Sequence, residues 1–277
     1  MKNLPLGLFI IPDSGLDMRL NTANSLNIST AHVLTLPRKE RTSNNINLLK
    51  NKFAEAQIEI TIVFCGFKGE SYASINEVEK TVGLAPENTC YSRLEECKEI
   101  SDFARGLDVN IIGMHVGFIP EDSNSEMYQR LLKVTKELCD YCRKNNQSLH
   151  LETGQEKAEI LLNFMHNVDR VNLAINFDPA NMILYGAGEP LSALRLLGHH
   201  VKSVHCKDAK WAANPGVDWG AEVIPGKGDV NFEYFFMILK ELGYQGPLTI
   251  EREITGEKQI KDIEKTVKYL NSIRDKI

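Results

Sequence analysis

GPLTIEREI, residues 246–254, reads as a strand that ends in charge. Leu248, Thr249 and Ile250 suit the interior of a sheet, and Glu251, Arg252 and Glu253 follow directly at its end. A carboxylate fixed at a strand's C-terminal end marks a rim where a site can be built. Upstream, similar short runs rich in Leu, Ile and Val recur at 6–10, 28–34, 59–65, 110–116, 148–153, 173–178 and 201–207, with 247–253 the last. Between them lie segments with helical spacing, among them SRLEECKEISDFARGL, MYQRLLKVTKELCDYCRKN, EYFFMILKELG and QIKDIEKTVKYLNSIRDK. Asn231 is placed to cap the helix beginning near Phe232, and Gly243 suits its C-terminal end.

Eight strands, each followed by a helix, over 277 residues predict a single (β/α)8 barrel occupying 1–277. A doubly wound sheet competes, but no glycine-rich phosphate turn follows the first strand. The longest irregular stretch, 209–229, contains Trp211, Pro215, Gly216, Trp219, Pro225, Gly226 and Gly228, and it is expected to form a lid over the site.

Composition agrees with a soluble globular protein that has a sizeable core: 43% hydrophobic, 25% charged, net charge −5. The acidic balance and the lack of a basic block argue against a nucleic-acid partner. The apolar run LPLGLFII is too short to span a bilayer and lacks a cleavage site, so no membrane partner and a cytoplasmic location are expected. Cys139 and Cys142 form a C-x-x-C inside a helical pattern, where structural thiols are the expected reading.

The C-terminal strand ends carry His115, Glu152, Asp178, His205 and Glu251. Glu152, Asp178 and His205 are spaced by about one βα unit each, and the long loop accounts for the wider gap to Glu251. Four adjacent strands thus deliver Glu, Asp, His and Glu to one rim. Singly, each has an ordinary explanation: a rim glutamate, a turn-opening Asp before Pro179, a hydrogen-bonded core histidine. Together, three carboxylates would repel one another and shift upward in pKa unless a cation sat among them. Three oxygen donors and one imidazole suit one divalent metal, Mn²⁺ or Mg²⁺ first, with Zn²⁺, Co²⁺ or Fe²⁺ open. Open coordination positions would then take a substrate's oxygens or a water.

The motifs HLETGQE, INFDPANM, VHCKDAKW, GKGDVNF and LTIERE resemble those of the xylose isomerase-like TIM barrels, the sugar phosphate isomerase/epimerase superfamily. The resemblance is strongest over 148–255. It implies one divalent metal held by Glu152, Asp178, His205 and Glu251, with Glu152 and Glu251 also the catalytic proton-shuttling pair. It implies a small sugar or polyol substrate and isomerase or epimerase activity through a metal-stabilised enediolate. A lyase acting on a keto-inositol or 3-keto-sugar, and a non-catalytic carbohydrate-binding barrel, are the alternatives; homo-oligomerisation is left open.

Substrate-facing candidates are His115, Asn181, Lys207, Trp211 and Glu253. Lys207 and Glu253 share side-chain parity with His205 and Glu251, two residues nearer the rim. Lys207 reads equally as an oxyanion binder or a solvated rim lysine. Trp211 and Trp219 read as sugar-stacking or as loop packing, while Lys210 and Glu222 carry weaker signals. His150 lies deeper and reads as a satisfied core histidine. One departure bears on the substrate: ketose 3-epimerases carry a histidine where this chain has Asn181, and an arginine where it has Trp211. Endonuclease-four-type enzymes of the same fold use three zincs and many histidines; seven histidines in all fit that poorly.

Overall fold

The computed structural model describes Met1 and residues 3–277. Eight parallel strands close into a barrel: β1 (Leu6–Ile10), β2 (Thr30–Leu34), β3 (Glu59–Phe64), β4 (Ile111–Met114), β5 (Ser148–Glu152), β6 (Leu173–Phe177), β7 (Val201–Cys206) and β10 (Leu248–Ile250). A two-stranded antiparallel hairpin, β8 (Asp208–Lys210) and β9 (Ala221–Val223), interrupts the run between β7 and β10. Closure places β10 beside β1, with Gly7 opposite Thr249 and, on the other side, Thr30.

Strands covered on both faces need apolar residues at nearly every position, and β6 is buried throughout. The surrounding helices bury one stripe each. In helix Glu126–Lys144 the buried set Tyr128, Leu131, Val134, Thr135, Leu138, Cys139 and Cys142 repeats every three or four residues. Cys139 and Cys142 therefore belong to an apolar face, and all six cysteines are free thiols. Asn231 caps Phe232–Glu241 by accepting from the Tyr234 N–H, and Gly243 takes a left-handed conformation (φ 70°) just past that helix.

The structure adds detail to the one-helix-per-strand pattern. Two helices, Ile75–Thr81 and Cys90–Gly106, follow β3. After β6, helix Pro179–Tyr185 stops at the left-handed Gly186, and Glu189 then caps a second helix, Pro190–Leu197. The stretch 209–229 is more ordered than a plain loop, because it contains most of the β8–β9 hairpin. No helix among the described residues is long and apolar enough to cross a membrane.

Candidate metal centre

Glu152 ends β5, Asp178 sits one residue beyond β6, His205 lies in β7, and Glu251 sits one residue beyond β10. In barrel order these are four consecutive strands, and one ligand atom from each side chain falls within 4.8 Å of the others. All four residues are buried, from 0% exposed for Asp178 and His205 to 8% for Glu251. Nδ1 of His205 faces the carboxylates: Glu152 Oε1 at 2.5 Å, Glu251 Oε2 at 3.3 Å and Asp178 Oδ2 at 3.6 Å.

Local sequence explains the poses. Asp178 caps the helix after β6, its Oδ1 accepting from the Ala180 and Asn181 N–H groups. That fixes the carboxyl and leaves Oδ2 turned toward His205, buried and without a hydrogen-bond partner among the described residues. Asn176 donates to Glu152 Oε1 at 3.2 Å. His115 Nε2 holds the other oxygen, Glu152 Oε2, at 2.8 Å, and Gln155 Nε2 lies 2.9 Å from His115 Nδ1.

The electrostatics are those of a crowded carboxylate cluster. Burial pushes Glu152 up, but His115 and His205 outweigh it and hold the carboxyl well below its ordinary value. Glu251 is held at about 2 against its own burial by Lys207 and His205. Asp178 is raised, burial exceeding the help it receives from Lys207. Burial opposes protonation of His205, yet Glu251 and Glu152 drive that imidazole well above its usual value; His115 reaches about 9 in the same way, chiefly through Glu152.

An orphaned buried oxygen, two ionised glutamates and an imidazole aimed at all three carboxyls form a donor set that fits a hard to borderline divalent cation. Glu152, Asp178, His205 (through Nδ1) and Glu251 are the residues that could hold it.

The remaining sequence candidates fall into two groups. Lys207, 1% exposed, directs its ammonium at Glu253 Oε1 (2.9 Å), Asn181 Oδ1 (3.0 Å) and Glu251 Oε2 (3.2 Å). It is neither solvated nor unpartnered, and it ties Asn181 and Glu253 to the cluster. Trp211 is exposed beyond β8, its backbone N–H held by Asp229. Trp219 instead packs edge-on against Tyr185 at 4.7 Å, and the Tyr185 hydroxyl accepts from Gln155, so it is Trp219 that adjoins the site. His150 bonds Ser203 at 2.8 Å and Ser148 at 3.2 Å, as a satisfied core group does. Lys210 lies exposed in β8; Glu222, in β9, accepts from the Glu253 N–H and pairs with Arg252 at 2.8 Å.

Further residues around this centre lie outside the sequence candidates for the site: His32, Asn176, Gln155, Glu156 and Tyr185, with Thr249 named only as sheet interior. A histidine in the middle of a buried strand (TAHVL) and a second carboxyl four residues after Glu152 were the available signals.

The model of a family described as xylose isomerase-like TIM barrel matches residues 25–273. A crystal structure of a xylose isomerase domain protein from Planctomyces limnophilus is 46% identical, with a TM-score of 0.95, covering 99% of this chain and 98% of that one. An inosose dehydratase of Clostridium botulinum is 32% identical over 115 residues, 38% of either chain. The match thus spans well under half the length of that curated relative. D-Psicose 3-epimerase with D-tagatose from Clostridium cellulolyticum H10 shares the fold at 16% identity and a TM-score of 0.70, covering 98% of this chain and 97% of that one.

Proposed function

The chain belongs to the xylose isomerase-like TIM barrel family, and on that footing we propose that it is a divalent-metal-dependent isomerase or epimerase of a sugar or related polyol. One observation carries the reading. Glu152 and Glu251 come from the outer two of the four contributing strands, so they flank Asp178 and His205 and present two buried carboxylates from opposite sides.

Both glutamates are held ionised, so either can accept a proton from substrate carbon and, once protonated, return it. A carboxylate held that low is a weak base, and the C–H it attacks must be made acidic. Glu152, Asp178, His205 and Glu251 would hold a divalent cation, which would supply that acidity by Lewis-acid polarisation of a substrate carbonyl. His115 orients Glu152 and Lys207 orients Glu251, each through a direct contact on the carboxylate. Gln155 links His115 to the Tyr185 hydroxyl, and Trp219 packs on Tyr185, so an aromatic pair stands near the cluster where it would help exclude water from a bound substrate.

A second reading has a specific support, the likeness to relatives named inosose dehydratase. It shares the first proton removal and differs in the loss of a neighbouring hydroxyl afterwards. Incubating the Mn²⁺-supplied protein with ketoses and keto-inositols in D₂O separates the two. Deuterium incorporation with the carbon skeleton and oxygen count intact is the expected result, and loss of one water assigns the lyase. In the same assay Glu152→Gln and Glu251→Gln should lose about 10²-fold or more in turnover with metal still bound. Asp178→Asn should recover much of its activity in excess Mn²⁺. Neither exchange nor water loss with any carbonyl sugar would refute both readings.

A further inference from the structure

Behind His205, away from the carboxylates, a second histidine lies in the barrel interior. His32 of β2 is 1% exposed, and its Nδ1 is 3.0 Å from His205 Nε2. Its other nitrogen, Nε2, is 3.2 Å from Thr249 Oγ1 of β10, a residue that is fully buried. The rings are held in place: Phe64 stacks on His32 (5.6 Å, 30°) and packs against His205 (5.2 Å), and Phe9 meets His205 edge-on. Three strands that are not neighbours in sequence thus meet in one hydrogen-bonded row. Gly7 of β1 makes room for it. A Cβ there would come within 2.7 Å of Thr249 Oγ1 and 2.9 Å of Thr30 Oγ1, so any side chain would push Thr249 out of the row.

We propose that His32 is a positioning residue that sets the tautomer and ring orientation of His205 for a bound cation, through the row His205–His32–Thr249. The inference rests on the reading of the Glu152–Asp178–His205–Glu251 cluster as a metal site. Proton counting gives the direction. A cation at the carboxylate end takes the lone pair of His205 Nδ1, so the ring proton must sit on Nε2. That N–H needs an acceptor, and His32 Nδ1 at 3.0 Å is it. His32 must then keep Nδ1 free and carry its own proton on Nε2, where Thr249 Oγ1 accepts it. With a cation on Nδ1, each member of the row has one arrangement compatible with its neighbour, and the contacts of His32 and Thr249 hold the imidazole in it. Ligating histidines fixed in this way commonly owe 10–100-fold in metal affinity to the partner behind them.

The test measures Mn²⁺ affinity by calorimetry and by the electron paramagnetic resonance signal of free Mn²⁺, on four proteins: wild type, His32→Phe, His32→Asn and Thr249→Val. Phe keeps the stacking on Phe64 and removes the acceptor, so affinity should fall about 10–100-fold. Asn returns an acceptor oxygen close to the Nδ1 position and should recover most of that loss, which a merely structural role for the ring would not predict. Thr249→Val should fall less than His32→Phe. Nitrogen-15 spectra of the imidazoles in Zn²⁺-loaded wild type need no variant, and should show His205 and His32 each protonated at Nε2 alone. Wild-type affinity in His32→Phe, or a proton on Nδ1 of His32, overturns the proposal while leaving the metal site standing, whereas a proton on Nδ1 of His205 in the loaded protein removes His205 from the ligand set and overturns both. Wild-type protein that binds no Mn²⁺ overturns the functional reading and this inference together.

Discussion

Glu156 carries a consequence for stability that can be worked through. It follows β5 by four residues, is 6% exposed, and its Oε2 has no hydrogen-bond partner among the described residues. Burial pushes its carboxyl from an ordinary 4.5 up to about 8, against a modest opposing pull from His115. Because the folded pKa lies above the unfolded one, the folded protein binds the proton more tightly. Its contribution to stability is full below pH 4.5 and is lost as pH rises through 8. Each pH unit across that window changes stability by 1.36 kcal/mol, so the whole span is worth about 5 kcal/mol as an upper bound, and roughly 2–4 once the site relaxes and takes in water. Glu156→Gln keeps the shape and cannot ionise, and should flatten this slope. The assay is urea denaturation of wild type and variant at pH 5 and pH 8.5, without added metal. The wild type should lose about 2–4 kcal/mol more than Glu156→Gln between the two pH values. The constant effect of placing an amide in the site cancels in that difference. Slopes that agree within about 0.5 kcal/mol would show that the carboxyl is solvated or paired in solution, and would refute the reasoning.

Asp208 is buried and accepts four backbone N–H bonds, from Ala209 and Val230 on Oδ1 and from Gly226 and Gly228 on Oδ2. Asp208→Asn turns one oxygen into a donor facing donors, and should cost about 2–4 kcal/mol and speed amide exchange at 226 and 228 or at 209 and 230; unchanged exchange at all four would show that the loop is held elsewhere. Adding Mn²⁺ at about 100 times its dissociation constant should stabilise the fold by about 2.7 kcal/mol, a rise of roughly 5–10 °C in Tm that chelation reverses and that Asp178→Asn reduces at equal Mn²⁺. A thermal scan indifferent to both metal and chelator would count against the site.

The parts of the molecule visible in the chain were those governed by local period. Barrel strands buried on both faces are continuous apolar runs, and the helices between them repeat every three or four residues, so eight units could be counted. The same counting put Glu152, Asp178, His205 and Glu251 on consecutive strand ends, and their convergence within 4.8 Å follows from closure of the barrel. What lay outside local period was not visible. The contact of His32 with His205 spans 173 positions, and that with Thr249 spans 217; no spacing rule links residues that meet only when β1 and β10 pair. The β8–β9 hairpin was hidden for another reason. Its strands are three residues each, and they are held by Asp208 on one side and by Glu222 with Arg252 on the other, through polar clamps that leave no hydrophobic alternation. That clamping bears on the expected lid. With Asp208 accepting from Gly226, Gly228 and Val230, and Glu222 bound to both Arg252 and the Glu253 N–H, the stretch is anchored at its return segment and at its second strand. The hairpin's tip is tied as well, with the Trp211 N–H held by Asp229, the Gly220 N–H by the Leu184 carbonyl, and Trp219 packed against Tyr185.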